Sequence, residues 1–312
     1  MARYRVLSFD GGGVRGLVSA ILLQRIGEAL ESDSWLHKAD LLAGTSTGAL
    51  LALGLAKGLS PAELRALYED RGEEIFDDSW LDDLTDIGKI AGADYGSEKL
   101  ERVLRETLGE STRLRDLGRR VLVPTFDLDN EDPDPARRRW KPKIFHNFPG
   151  PDSDGATLAW KVAMYTTAAP TYFPSYEGYV DGGVFANNPS MCALAQVQDR
   201  RWADRPALDD VVLLSIGTGS SLVFIRGKSL DWGYAQWAKP LVEVMFEGVS
   251  DIARFQCEQL LGERFRRLAP VFPAGETYPL DGVAKIPELA EFAASDRIDI
   301  GPTVDWIRRV WL

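Results

Sequence analysis

Tyr4-Arg5-Val6-Leu7-Ser8-Phe9-Asp10-Gly11-Gly12-Gly13-Val14-Arg15-Gly16 decides how this chain is to be read. The apolar run Tyr4–Asp10 suits a buried strand, glycines follow, and Leu17–Leu30 is apolar enough for a buried helix. Working outward, the same alternation recurs. Asp40–Ala43 reads as a second short strand, and Ala49–Lys57 as a helix after a turn. Ser60-Pro61-Ala62-Glu63 has capping-box spacing with proline at the first helical position, which predicts a helix to about Phe76. Asp77–Asp86 is acidic and reads as a solvated loop. Over Ser97–Leu108, the residues Leu100, Val103, Leu104 and Leu108 share one helical face. Val121–Phe126, Lys143–His146 and Val211–Ile216 read as strands, Thr157–Ala168 and Pro189–Gln198 as helices. From Trp232 onward the pattern is mostly helical. Strands alternating with helices predict an α/β class, with a mainly parallel sheet covered on both faces and one domain over residues 1–312.

Composition narrows the chemistry. With 312 residues, 45% of them hydrophobic and 27% charged, wholesale disorder is excluded. A net charge of −11 argues against a nucleic-acid polymer as partner, which would need a broad positive face. Cys192 and Cys257 cannot build a disulfide scaffold or a cysteine-rich metal site. His37 and His146 are the only histidines, which limits any mechanism built on imidazole. Val6–Phe9 is too short for a secretory apolar region, and Ala39–Ala56 is interrupted by Gly44-Thr45-Ser46-Thr47-Gly48. A cytoplasmic protein that touches the inner membrane surface peripherally is the expectation.

The glycines after Asp10 let successive N–H groups converge at a helix N-terminus, a nest for a phosphate or a developing oxyanion. Gly11-x-Gly13-x-x-Gly16 also fits a dinucleotide fingerprint, with Glu31 or Asp33 at about the right distance but no strand before them. A purely structural turn is the third reading. Gly44-Thr45-Ser46-Thr47-Gly48 tips the balance: it matches G-x-S-x-G between an apolar strand and an apolar helix, the context of a nucleophile elbow.

A serine hydroxyl needs a base. No histidine follows residue 146, so the order Ser, Asp/Glu, His is impossible. A carboxylate is left. Asp181 stands out because it ends a strand-like segment, is followed by Gly182-Gly183, and precedes Asn187-Asn188-Pro189. A plain Asp-Gly-Gly turn is the competing reading.

Asp10-Gly11-Gly12-Gly13-Val14-Arg15-Gly16, Gly44-Thr45-Ser46-Thr47-Gly48 and Asp181-Gly182-Gly183 together resemble the three signature blocks of the patatin-like phospholipase family. Ala168-Ala169-Pro170-Thr171-Tyr172-Phe173-Pro174, Val184–Pro189 and Ser215–Gly219 support the resemblance, which covers roughly residues 4–220. It implies a three-layer α/β/α sandwich and a lipid acyl hydrolase that works without metal or cofactor. By position it makes Ser46 the nucleophile, Asp181 the base, and the backbone N–H groups of Gly11, Gly12, Gly13 and Arg15 the oxyanion hole. The substrate would be a phospholipid or another acyl ester. Some bacterial relatives are switched on by cyclic nucleotides, which makes such an activator an expectation here; others are storage proteins with weak esterase activity. Arg137-Arg138-Arg139, Lys141 and Lys143 form a basic cluster that could meet anionic head groups or be a solvated loop. Leu222–Ile225, Trp232, Tyr234, Trp237, Val244, Met245 and Phe246 could line an acyl channel, touch lipid or pack in the core.

Overall fold

A computed structural model of the protein describes residues 3–76, 93–170, 172–225, 233–237 and 240–312. Asp77–Asp86, Trp232 and Thr171 therefore lie outside the described residues. Seven strands form one sheet: β1 (Tyr4–Phe9), β2 (Leu41–Gly44), β3 (Arg120–Asp127), β4 (Lys141–His146), β5 (Tyr179–Asp181), β6 (Val211–Ile216) and β7 (Phe265–Leu268). The helices are α1 (Gly16–Ala29), α2 (Thr47–Lys57), α3 (Pro61–Phe76), α4 (Ala93–Leu108), α5 (Ala159–Thr167), α6 (Gly183–Ala186), α7 (Ser190–Val197), α8 (Tyr234–Trp237), α9 (Pro240–Leu261), α10 (Ile286–Ala294) and α11 (Gly301–Trp306).

The spatial order is β4-β3-β2-β1-β6-β7, with β5 on β3. β1, β2, β3, β6 and β7 run parallel, while β4 and β5 are antiparallel to β3. Along β1 the side chains alternate between two cores. Leu7 and Phe9 join the larger one with α1 to α5, α10 and α11, whereas Val6 joins a smaller one with Ala193, Leu194 and Val197 of α7 and Cys257 and Leu261 of α9. A period of two hidden in an unbroken apolar run is the mark of a strand covered on both faces. The three-layer α/β/α arrangement follows.

The predicted elements match closely up to residue 216, including the Ser60–Glu63 capping box, where the Ser60 N–H donates to Glu63 Oε2 at 2.8 Å. The last quarter departs from expectation. Between helices, Phe265-Arg266-Arg267-Leu268 forms β7, parallel to β6. Two arginines inside so short a strand conceal its apolar pattern.

β5 is the piece that assembles the site. A strand has two edges. β4 occupies one edge of β3 over Leu122–Asp127, and β2 takes the other only over Arg120–Leu122. β5 pairs with Thr125–Asp127, so it must lie on the β2 edge, just past the point where β2 ends. That brings Asp181 to the turn that follows Gly44.

Candidate active site

Ser46 sits between β2 and α2 with φ 52° and ψ −127°. A positive φ on a residue with a Cβ is strained by about 1–3 kcal/mol and persists only where its surroundings hold it. Here the Ser46 N–H donates to Thr166 Oγ1 at 3.0 Å, and the Thr166 hydroxyl donates in turn to the Pro124 carbonyl at 2.7 Å. Gly48 N–H closes the turn on the Thr45 carbonyl at 2.7 Å. A Cβ at Gly48 would lie 2.6 Å from the Asp10 carbonyl oxygen, so only glycine lets the elbow pass this close to the end of β1. The motif therefore has the strained strand-to-helix turn that its G-x-S-x-G spelling predicts.

Asp181 is fully buried. Its Oδ1 accepts the Gly183 N–H at 2.7 Å, while Oδ2 has no partner of normal hydrogen-bond geometry. Burial pushes its carboxyl up to about 7; the Gly183 N–H and the nearby Ser46 hydroxyl act in the opposite direction. The Ser46 hydroxyl thus lies near the carboxylate without being aligned on it, the loose geometry usual before substrate binds. A carboxyl raised by burial, a neighbouring hydroxyl and an open acceptor are the features that mark a candidate for proton transfer near neutral pH.

Gly12 and Gly13 line the same cavity as Ser46 and Asp181. The donor set implied by the resemblance is narrower in the structure. Gly11 N–H is engaged by the Asn187 carbonyl at 2.9 Å, and Arg15 N–H by the Gly12 carbonyl at 3.1 Å, so Gly11 and Arg15 have no amide left to offer. Gly12 and Gly13 N–H groups have no acceptor among the described residues. Gly13, at φ 56°, turns the chain so that both can face one way.

The cavity walls are Ile75, Phe76, Leu100, Tyr172, Phe173 and Phe246, with about 20 Å³ of space. That volume holds about one water molecule, too little for a long aliphatic group. Phe246 belongs to the apolar region singled out in the sequence. Val244 and Met245, its neighbours on α9, are exposed rather than packed in the core, as are Leu222, Val223 and Phe224.

Neither histidine lines this cavity. His37 is exposed. His146 is buried at the far end of β3, opposite Leu122, and burial lowers its pKa. Glu31 and Asp33 lie beyond the C-terminal end of the 14-residue α1, ~21 Å of helix away from the glycines, so neither is placed for a dinucleotide ribose. In the basic cluster, Arg137 pairs with Asp132 at 3.2 Å, Arg138 with Asp129, and Lys143 with Asp154. Local carboxylates therefore offset most of its charge, as in a solvated loop. Sequence reading overlooked Thr166, whose hydroxyl braces the elbow, and Arg267, which reaches Asp10 from β7. Neither carries a motif. Among the described residues no helix is long and apolar enough to cross a membrane.

Comparison with known proteins agrees with this geometry. The family model described as patatin-like phospholipase matches residues 7–194. A cGAMP-activated phospholipase of Pseudomonas aeruginosa is 31% identical over 96% of this chain and 84% of its own. Another cGAMP-activated phospholipase, from Escherichia coli, is 36% identical over 69% of this chain and 62% of its own. The putative sporulation hydrolase CotR of Bacillus subtilis is 28% identical over 100% of this chain and 99% of its own.

Proposed function

Because the chain belongs to the patatin-like phospholipase family, we propose that it hydrolyses acyl esters of membrane phospholipids through a Ser46–Asp181 dyad. The observation that carries the reading is the meeting of a strained, buried serine and a buried carboxyl raised to about 7 in one cavity that also presents two open amides. In the proposed sequence, Ser46 Oγ attacks the ester carbonyl carbon while its proton passes to Asp181 Oδ2. The carbonyl oxygen becomes an oxyanion held by the Gly12 and Gly13 N–H groups, each such donor being worth about 3 kcal/mol. Collapse breaks the ester C–O bond, and the proton moves from Asp181 to the departing alcohol. Water then attacks the acyl-serine, Asp181 taking its proton and returning one to Ser46 as the fatty acid leaves. The partial positive end of α2 favours the developing negative charge.

The base must be ionised to act. With the Asp181 carboxyl near 7, kcat/KM on a soluble ester should rise about tenfold per pH unit below neutrality and level off above it. A profile flat from about pH 5 to 9 would remove Asp181 from the role of base.

A narrow cavity of about 20 Å³ and relatives named as cGAMP-activated phospholipases support a second element: a cyclic nucleotide opens the acyl slot. Phospholipid vesicle hydrolysis, measured with and without cGAMP and a panel of other cyclic di- and oligonucleotides, tests it. At least one should raise the rate about tenfold or more; equal rates throughout refute the activator and leave the hydrolase standing. The proposed setting is the cytoplasm, with peripheral contact at the inner membrane surface, which fractionation of expressing cells checks.

A further inference from the structure

We infer that Arg267 is a positioning residue for this chemistry: through Asp10 it holds the glycine loop so that the Gly12 and Gly13 amides stay beside Ser46. The inference rests on the hydrolase reading and extends the machinery beyond residues 7–194, the range of the family match.

The register of β7 sets it up. Arg267 lies directly across from Ser215 on β6, and β6 pairs with β1, at whose end Asp10 begins the loop. From there the guanidinium spans to both carboxylate oxygens of Asp10, with Nη1 donating to Oδ1 at 3.0 Å and Nη2 to Oδ2, while Nη1 also donates to Ser215 Oγ at 2.7 Å. Bidentate pairing fixes the plane of the carboxylate as well as its distance. Both side chains are withdrawn from solvent, at 13% and 5% exposure, and Arg267 is the only ion-pair partner of Asp10 among the described residues.

Asp10 is the last residue before three glycines, Gly11 to Gly13. Its own N–H is tied to the Ile216 carbonyl at 3.1 Å, and on the far side of the glycines Val14 N–H is tied to the Leu280 carbonyl at 2.8 Å. The loop is therefore held at both ends by partners from outside the glycine block, and the segment after β6 supplies Arg267 and Leu280. Gly11 is tied as well, its N–H to the Asn187 carbonyl at 2.9 Å and its carbonyl by the Thr218 hydroxyl at 2.9 Å, so Gly12 and Gly13 are the glycines whose direction the anchors set.

Arg15 adds favourable charge near Asp10 but makes no hydrogen bond or ion pair to it among the described residues. Its side chain makes one long contact, Nε to the Gly12 carbonyl at 3.4 Å. Asp10 and Arg267 also border a polar cavity of about 460 Å³. Without the guanidinium, an uncompensated carboxylate would turn toward that space to find solvation, taking the start of the loop with it.

The effect to look for belongs to the transition state. Oxyanion donors act there, so Arg267→Lys and Arg267→Met should lower kcat on a soluble p-nitrophenyl ester by about 10²-fold with KM changed by less than about twofold. Lys, which keeps one charged donor, should lose less than Met. Hydrogen exchange should quicken in the peptide spanning residues 10–16 while β6 stays protected. A folded variant with kcat within about threefold of wild type overturns the inference, as does a loss of kcat with unchanged exchange over residues 10–16. If Arg267→Met does not fold, Arg267→Lys and the isosteric Asp10→Asn carry the same two readouts. A wild-type protein that cleaves no ester would refute the hydrolase reading instead, and the exchange comparison would still decide whether Arg267 holds the loop.

Discussion

Replacing Ser46 by alanine is expected to lower ester hydrolysis by about 10⁴- to 10⁶-fold and to abolish covalent labelling by a fluorophosphonate. The size follows from the loss of the attacking atom itself. Gly12, Gly13 and the apolar walls remain, and positioning plus oxyanion stabilisation alone leave a small residual rate above water. The fold should survive, because Ser46 is anchored through its backbone: its N–H reaches Thr166 and its carbonyl accepts Ala49 N–H at 2.8 Å. Labelling that persists in a folded Ser46→Ala protein would place the nucleophile elsewhere and dismantle the dyad.

The second large effect pairs a loss with a gain. Asp181→Asn should cut kcat about 10⁴-fold, since an amide cannot accept the serine proton. It should also make the protein more stable at pH 8. A carboxyl raised by burial from 3.8 to about 7 holds its proton more tightly in the folded chain than in the unfolded one. Ionising it therefore works against folding: the penalty is absent below the ordinary carboxylate pKa, grows as pH rises through the interval, and is complete above about 7. That interval corresponds to on the order of 4 kcal/mol, which asparagine escapes by having nothing to ionise. Its Oδ1 can still accept the Gly183 N–H that Asp181 accepts at 2.7 Å. Thermal unfolding of both proteins at pH 8 and pH 4.5 provides the measurement. A higher midpoint for Asp181→Asn at pH 8, shrinking at pH 4.5, is the expected pattern; equal midpoints at pH 8 would mean that Asp181 is not held neutral by burial. The trade of stability for a poised base is what a catalytic carboxylate would show.

His37→Ala and His146→Ala offer a control, since neither residue borders the cavity.

Much of this arrangement is legible in the chain. Strand, glycines and helix over Tyr4–Leu30 declare a parallel α/β sheet, because a mainly apolar run such as Val6–Phe9 suits a strand covered on both sides. Gly44–Gly48 declares a tight turn because a side chain at Gly48 would meet the carbonyls at the end of β1. Two histidines, neither after residue 146, point to a carboxylate as the proposed base. The sheet and the turn are legible because they depend on local conformation, and the proposed base because it depends on inventory; both are properties of the sequence itself.

What needed the tertiary structure are the relations between distant segments. Nothing near Asp181 announces that β5 will dock on β3 just where β2 ends, so the partnership with Ser46 is a consequence of strand edges. Which glycine amides stay open was decided by two carbonyls, those of Asn187 and Gly12, that claim Gly11 and Arg15. The role of the last quarter was the least visible. Phe265–Leu268 reads poorly as a strand because two of its four positions are arginine, and Arg267 gains its meaning only when parallel pairing sets it against Ser215 and, beyond it, Asp10. Local preference is written residue by residue, whereas an ion pair across 257 positions exists only once the sheet has closed the distance.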